Sequence, residues 1–129
     1  MGSERDVGDV GDVSGANGTG DDLTQPGGVY ARRDEVQIVD VREPYEWEAG
    51  RIEGAVHVPL NDLMAGRGPD LDPGRPVVAV CRSGNRSELA ALMLQARGFE
   101  AHNLVGGMEA WARQGLPLST PAGEPGRVA

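Results

Sequence analysis

Residues 77–97 read VVAVCRSGNRSELAALMLQAR, and this stretch decides the fold. Its first four residues are all apolar, which is typical of a strand that is buried on both faces of a parallel sheet. A polar loop follows at 81–87, and a helix is then predicted over Ser87–Arg97. Within that helix an apolar stripe recurs at spacings of three and four residues and predicts the buried face. The stripe consists of Leu89, Leu92, Met93 and Ala96.

The same alternation of strand and helix continues on both sides of this unit. Short apolar runs predict further strands at 38–41, 55–58 and 100–104. Helices are predicted between and after these strands, at 44–50, at 61–65 and from 106 onward. Strands that alternate with helices favour an α/β domain of three layers, in which a mostly parallel sheet carries helices on both faces.

The two ends of the chain differ in composition from the middle. Residues 1–22 are rich in Gly and Asp, and residues 119–129 are rich in Pro and Gly. Both segments carry too little apolar surface to offset the chain entropy lost on folding, so both are predicted to be flexible. One folded domain is predicted over 23–118. Its first part, 23–36, shows no clear element because Pro26-Gly27-Gly28 interrupts it.

The composition excludes several classes of function. The 129 residues carry a formal net charge of −8, and all 12 basic residues are Arg. The basic surface that nucleic-acid binding requires is therefore not expected. No apolar run reaches the roughly 18 residues of a membrane span, and the first residues lack the basic and apolar regions of a secretory signal. We expect a cytoplasmic protein that binds neither nucleic acid nor membrane.

The chain contains a single cysteine, Cys81, at the end of the central predicted strand. A disulfide within the chain is therefore impossible, and His57 and His102 show no metal-ligand spacing with Cys81, so no metal site is predicted. A lone cysteine can be an inert buried group, but the surroundings of this one favour a reactive thiolate. Loop N–H groups, a helix N-terminus and the charges of Arg82 and Arg86 all lower the pKa of a thiol. Cys81 is the predicted nucleophile.

With these residues in place, the sequence resembles the rhodanese family, the sulfurtransferases that carry sulfur as a cysteine persulfide. The resemblance covers about residues 37–117 and rests on a set of motifs in a fixed order. These are Asp40-Val41-Arg42-Glu43, Gly50-Arg51-Ile52-Glu53-Gly54-Ala55, Val58-Pro59, the loop from Cys81 to Ser87, and Leu104-Val105-Gly106-Gly107-Met108-Glu109-Ala110-Trp111. It implies a single rhodanese-like domain in which Cys81 carries the sulfur. By the same resemblance, the loop residues bind the persulfide and the donor, and they are Arg82, Ser83, Gly84, Asn85, Arg86 and Ser87.

The resemblance also implies a reaction. A small anionic donor such as thiosulfate gives its sulfur to Cys81, and a thiol, a protein or cyanide removes it. No metal or organic cofactor is implied. We expect Arg86 to face the negative end of the donor. Because the chain has no second cysteine, the acceptor has to be an outside molecule.

Two alternative functions use the same loop. A cysteine phosphatase has five residues between its cysteine and arginine, whereas four separate Cys81 from Arg86. The smaller ring of N–H groups suits a terminal sulfur better than a phosphoryl group. A sulfur-relay or regulatory protein-binding module would dock a partner at the loop and turn over small donors poorly.

Other charged residues near the predicted strand ends are expected to support the site or to face solvent. Asp40 and Arg42 lie where the strand at 38–41 ends, and we expect them to brace the active loop or a neighbouring helix through a charged hydrogen bond. Glu46 and Glu48 are interpreted as solvated charges.

Overall fold

The computed structural model describes residues 22–129, and within them four parallel strands form one sheet. The strands are β1 (Gln37–Asp40), β2 (Val56–His57), β3 (Val77–Val80) and β4 (Ala101–Asn103), in the spatial order β2-β1-β3-β4. β1 and β3 form the centre and pair in register from Gln37 opposite Val77 to Asp40 opposite Val80. Because the strands are parallel, their carboxyl ends share one edge of the sheet. The Cys81 loop starts at that edge.

Helices cover both faces of this sheet. They are α1 (Pro26–Ala31), α2 (Pro44–Ala49), α3 (Leu60–Met64), α4 (Asn85–Ala96) and α5 (Gly107–Arg113). α3 and α4 share one apolar cluster with Ala79 of β3, whereas α1 and α5 share the other with Val78 and Val80. The three-layer α/β architecture predicted from the sequence is confirmed. None of the helices in the described part of the chain has the length and apolar character that a membrane crossing requires.

The buried face of α4 differs from the predicted stripe. Leu89 and Leu92 are 43% and 58% exposed and Ala96 is exposed too, so the predicted face is wrong for these three residues. Only Met93 of the predicted stripe packs against the core. Two stripes on this helix have the same helical spacing, and the one with smaller side chains packs against the sheet because it lets the helix approach closely. The buried residues are Ser87, Ala90, Ala91 and Leu94. The buried face of α4 therefore begins at Ser87, whose hydroxyl points toward the Cys81 sulfur.

Residues 26–31 form a helix where the sequence predicted no clear element. Pro26 occupies the first turn, where the N–H that proline lacks would have no helical partner. Gly28 is buried against the backbone of Asp22, and a Cβ at Gly28 would lie 2.0 Å from the Asp22 carbonyl oxygen. The glycine that suggested a break instead lets two chain segments meet. The rest of the predicted acidic tail, residues 1–21, lies outside the described residues.

Residues 119–129 lie against the domain, in contrast to the flexible tail that their composition suggested. Ser119 pairs antiparallel with Arg51, with N···O distances of 3.0 and 2.9 Å. The Arg127 N–H donates to the Ala49 carbonyl at 3.0 Å, and Val128 packs against the apolar cluster shared by α1 and α5. The segment is held mainly because it pairs with backbone groups at the end of α2, and side-chain composition does not reveal such pairing.

Candidate active site

The chain turns sharply from β3 into α4 at the Cys81 loop. Gly84 is the residue that precedes the helix, and its φ is +102°, a conformation that glycine adopts without strain. A Cβ at Gly84 would also lie 3.0 Å from the Gly106 nitrogen, a contact so tight that the Gly106 backbone would have to shift. The turn brings Cys81 and Ser87 together, and both are buried.

Hydrogen-bond donors surround the Cys81 sulfur. The Gly84 N–H donates to Cys81 Sγ at 3.1 Å, and the Ser87 hydroxyl lies 3.3 Å from the same atom. Burial alone would raise the pKa of the Cys81 thiol, but the hydrogen bonds from Ser87, Gly84 and the Ser83 N–H outweigh burial and lower that pKa. Cys81 therefore supplies thiolate, the nucleophilic form, at a lower pH than an ordinary cysteine does.

Asn103, at the end of β4, joins this loop from the neighbouring strand. The Ser87 hydroxyl donates to Asn103 Oδ1 at 2.5 Å, and Asn103 Nδ2 donates to the Gly84 carbonyl at 3.0 Å. Asn103 was not among the residues predicted for the site. The available signal was its place near the end of a predicted strand parallel to β3, since such strands end at the same edge of the sheet.

The first turn of α5 holds the backbone of the loop from behind. The Met108 N–H donates to the Cys81 carbonyl at 2.8 Å, and the Glu109 N–H donates to the Arg82 carbonyl at 3.0 Å. Gly107 has a φ of +58°, and a Cβ there would lie 2.4 Å from the Cys81 carbonyl oxygen. A glycine at 107 is thus required for α5 to approach the cysteine this closely.

Arg86 forms a bidentate ion pair with Glu46 of α2, at 2.9 and 3.0 Å. The Glu46 side chain is only 3% exposed, so the interpretation of Glu46 as a solvated charge is wrong, whereas Glu48 is exposed. Burial alone would raise the pKa of Glu46, but hydrogen bonds from Arg86 and from the Glu43 N–H lower it. The hydrogen bond to Glu46 raises the pKa of Arg86, and the charge of Cys81 adds to this effect.

The remaining loop residues lie at the surface. Arg82 is half exposed and pairs with Glu109 of α5 at 3.3 Å. Ser83 and Asn85 are exposed, so of the predicted loop residues only Gly84 and Ser87 are buried with Cys81. Both loop arginines therefore have a carboxylate partner on another helix. An outward-facing Arg86 paired with an acid such as Glu88 or Glu109 is the alternative that the sequence left open, and the partner is Glu46.

Asp40 and Arg42 form a fully buried ion pair on the adjacent strand end. Arg42 Nη2 lies 2.8 Å from Asp40 Oδ2 and also donates to the Gly50 carbonyl at 2.7 Å, just after α2. His57 of β2 adds a contact of 2.8 Å between its Nε2 and the Arg42 carbonyl. The pair thus braces the end of α2, and the Arg42 backbone contacts the end of β2. The pair's charged hydrogen bonds reach the neighbouring helix α2 and do not extend to the Cys81 loop.

Comparisons with known proteins agree with this geometry. A family model described as a rhodanese-like domain matches residues 27–114. A sulfurtransferase of Allochromatium vinosum is 40% identical over 94 residues, which are 72% of this chain and 87% of that protein. The thiosulfate sulfurtransferase GlpE of Pseudomonas aeruginosa is 37% identical over 97 residues, which are 72% of this chain and 84% of that protein.

A solved structure shows the same relation at the level of the fold. The crystal structure of a rhodanese-related protein from Thermoplasma volcanium is similar with a TM-score of 0.66 and 26% sequence identity. The similarity covers 73% of this chain and 93% of that one. The matched family model includes the whole sheet, the Cys81 loop and α5. The chain belongs to the rhodanese-like family.

Proposed function

We propose that this protein is a sulfurtransferase that carries sulfane sulfur as a persulfide on Cys81. The observation that carries the proposal is the set of donors around the Cys81 sulfur, the Gly84 N–H at 3.1 Å and the Ser87 hydroxyl at 3.3 Å. Such donors stabilise a negatively charged sulfur and prepare it for nucleophilic attack. The sulfurtransferase names of two relatives support the same activity.

In the first half-reaction, the Cys81 thiolate attacks the outer sulfur of thiosulfate or of another sulfane donor. A new S–S bond forms to Cys81 while the S–S bond of the donor breaks, and the leaving group takes the electron pair. The leaving group is sulfite when the donor is thiosulfate and a thiolate when the donor is a persulfide. The negative charge moves to the outer sulfur of the persulfide. We propose that backbone N–H groups of the loop, such as that of Gly84 which donates to Cys81 Sγ, stabilise that charge.

In the second half-reaction, an acceptor nucleophile attacks the outer sulfur. Cyanide in an assay, or a thiol, takes the sulfur atom, and Cys81 leaves as a thiolate. The chain has no second cysteine, so the acceptor is a separate molecule. The resting Cys81 is 1% exposed, so we expect acceptors to reach the outer persulfide sulfur more readily than Cys81 itself.

The ion pairs of the two loop arginines change how an anionic donor is expected to bind. Arg86 is bound to Glu46, and Arg82 to Glu109, so each positive charge is partly compensated. An anionic donor at this loop therefore relies more on backbone N–H groups and on the start of α4 than on free guanidinium groups. We propose that the protein accepts sulfane donors of low charge as well as thiosulfate.

Intact-mass spectrometry tests the proposal directly. Incubation with thiosulfate, without reducing agent, should make the protein heavier by one sulfur atom, and cyanide should reverse the change. The Cys81→Ser variant is the matched control and should gain no mass. A phosphatase that lacks persulfide chemistry would show no such adduct, and this outcome would overturn the proposal.

Steady-state kinetics separates an enzyme from a sulfur-relay or regulatory module. A sulfurtransferase should convert thiosulfate and cyanide to thiocyanate and sulfite through many turnovers with parallel lines in double-reciprocal plots, as ping-pong chemistry requires. A relay module would form the adduct once and turn over slowly with cyanide.

A further inference from the structure

Ser87 has one hydroxyl hydrogen and two neighbouring acceptors. Its Oγ lies 3.3 Å from Cys81 Sγ and 2.5 Å from Asn103 Oδ1. A carboxamide oxygen only accepts, so the short contact with Asn103 requires the serine to be the donor. While that bond exists, the hydroxyl presents a lone pair to the sulfur, which suits a protonated thiol but not a thiolate.

We propose that Asn103 is a positioning residue that holds the Ser87 hydroxyl hydrogen away from Cys81 while the sulfur is a thiol, and releases it to the sulfur when the sulfur is negatively charged. The inference deepens the proposed sulfurtransferase function and rests on it. In this arrangement the backbone N–H groups stabilise the anion at all times, whereas the hydroxyl does so only after it has left Asn103.

The orientation of the Asn103 carboxamide is fixed by its second contact. Nδ2 donates to the Gly84 carbonyl at 3.0 Å, and rotating the amide by a half-turn would place two oxygens against each other. Oδ1 therefore has to face Ser87. Ser87 itself is fully buried, so bulk water does not compete for its hydroxyl. The serine can exchange only between the sulfur and the amide oxygen.

Three ion pairs lie on the elements around Cys81, and the variants below leave them in place together with the exposed charges of Glu88 on α4 and Arg113 on α5. The pairs are Arg86 of α4 with Glu46 of α2, Arg82 with Glu109 of α5, and Arg42 with Asp40 of β1. His102 of β4 contacts Glu100 at 2.8 Å. A change in the titration of Cys81 on altering Asn103 is therefore expected to come from Ser87 and the amide.

The rate of alkylation by iodoacetamide as a function of pH measures the thiolate fraction of Cys81, which is the only cysteine of the chain. Asn103→Leu removes the competing acceptor at similar volume, so the hydroxyl donates to the thiolate and the pKa of Cys81 should fall. The thiolate fraction below the pKa should rise about three- to tenfold. Asn103→Asp offers a stronger, charged acceptor and should shift the pKa upward.

Both variants lose the Nδ2 hydrogen bond to Gly84. The carboxylate of Asn103→Asp also repels the thiolate directly and would raise the pKa of Cys81 without Ser87, so its upward shift supports the proposal only if it is smaller in a Ser87→Ala background. The decisive measurement repeats Asn103→Leu in a Ser87→Ala background, where the proposal predicts no further shift. An equal shift in both backgrounds, or an upward shift for Asn103→Leu alone, overturns the proposal.

These measurements need no sulfur donor, so they remain informative if the proposed sulfurtransferase function is wrong. If the pKa of Cys81 shifts in the variants as predicted but no persulfide adduct forms, the proposed function is rejected and the role of Asn103 in setting thiol reactivity is kept. An adduct without the shift pattern would reject the role of Asn103 alone. Thermal melts of each variant establish that the compared proteins are folded.

Discussion

Two adjacent parallel strands, β1 and β3, end at the same edge of the sheet but lead into loops of opposite character. At the end of β1, the charged side chains of Asp40 and Arg42 are fully buried and bind each other, and Arg42 also binds the Gly50 carbonyl. After β3, backbone N–H groups and the Ser87 hydroxyl converge on one sulfur atom. The polar side chains at the end of β1 bind one another. The donors after β3 instead point to the Cys81 sulfur, which is neutral as a thiol and negatively charged as a thiolate.

The difference shows how polarity at a strand end can serve either stability or reactivity. A buried ion pair is fixed, and removing one partner leaves an uncompensated charge in the interior. The donors around Cys81 form stronger hydrogen bonds with the ionised sulfur than with the thiol, so they stabilise the reactive form most. We therefore expect substitutions after β1 to change stability and substitutions after β3 to change chemistry.

The largest expected effect is the loss of turnover in Cys81→Ser. A serine hydroxyl is nearly isosteric but yields almost no anion at neutral pH, so thiocyanate production should fall by at least about ten-thousandfold, as for other removed nucleophiles. The melting temperature should change little. A Ser variant that keeps a tenth of the wild-type rate would show that the covalent mechanism is wrong.

The converse substitution, Asp40→Asn, should lower stability and spare the chemistry. It leaves the Arg42 charge buried without a carboxylate, and breaking such a pair typically costs about 3–5 kcal/mol in the free energy of unfolding. Urea denaturation measures the loss, with Glu48→Gln on the exposed face of α2 as the control. The alkylation rate of Cys81 in the folded variant should match the wild type. A slower rate would mean that the two loops are coupled.

The ionisation of Cys81 should make stability depend on pH. Its pKa in the folded protein is below that of an unfolded cysteine, which is about 8.5. The folded state thus binds fewer protons between these two pKa values. The resulting stabilisation is complete above about pH 8.5 and is lost as the pH falls through the folded pKa, with a slope of at most about 1.4 kcal/mol per pH unit.

Chemical denaturation of the wild type and of Cys81→Ser at a series of pH values isolates this contribution. The difference in unfolding free energy between the two proteins should rise with pH and then level off. A difference that stays constant across the series would show that the sulfur is no more acidic in the folded state than in the unfolded chain.

The smallest expected effect comes from the ion pair that links α2 to the loop. Glu46→Gln keeps hydrogen-bonding atoms beside Arg86 but leaves its charge uncompensated, whereas Arg86→Gln removes the charge. A partly exposed charge contributes about 1 kcal/mol or less, so each change should alter the reactivity toward anions by about two- to fivefold.

Iodoacetate and iodoacetamide form a matched pair of reagents for this test because they differ in charge and little in size. The ratio of their rates with Cys81 should rise in Glu46→Gln and fall in Arg86→Gln. Equal changes for the charged and the neutral reagent would mean that Arg86 maintains the shape of the loop and has little electrostatic influence on incoming anions.

The sequence was sufficient to predict the three-layer fold and the position of Cys81, because both depend on local patterns. A run of four apolar residues predicts the buried strand, and a polar loop with Gly84 before a helix predicts the turn. The face of α4 was predicted wrongly because two stripes share the helical spacing. Which stripe is buried depends on how closely the helix can approach the sheet.

The partners of the loop could not be predicted because they are distant in the chain. Glu46 lies 40 residues before Arg86, and Asn103 lies 16 residues after Ser87. Their contacts follow from the order of the strands and from the position of α2 relative to the start of α4, and neither leaves a periodic signal in the sequence. The backbone pairing of residues 119–127 escaped prediction for the same reason.

The site depends on residues that follow it in the chain, because N–H groups of α5 donate to the Cys81 and Arg82 carbonyls. Ribosomes synthesise the amino end first, so Cys81 and its loop emerge before Asn103 and Met108 have been added. A nascent chain at that stage holds the cysteine without the groups that orient its serine and its backbone. The thiol gains these contacts only after β4 and α5 have been synthesised and have docked on the loop.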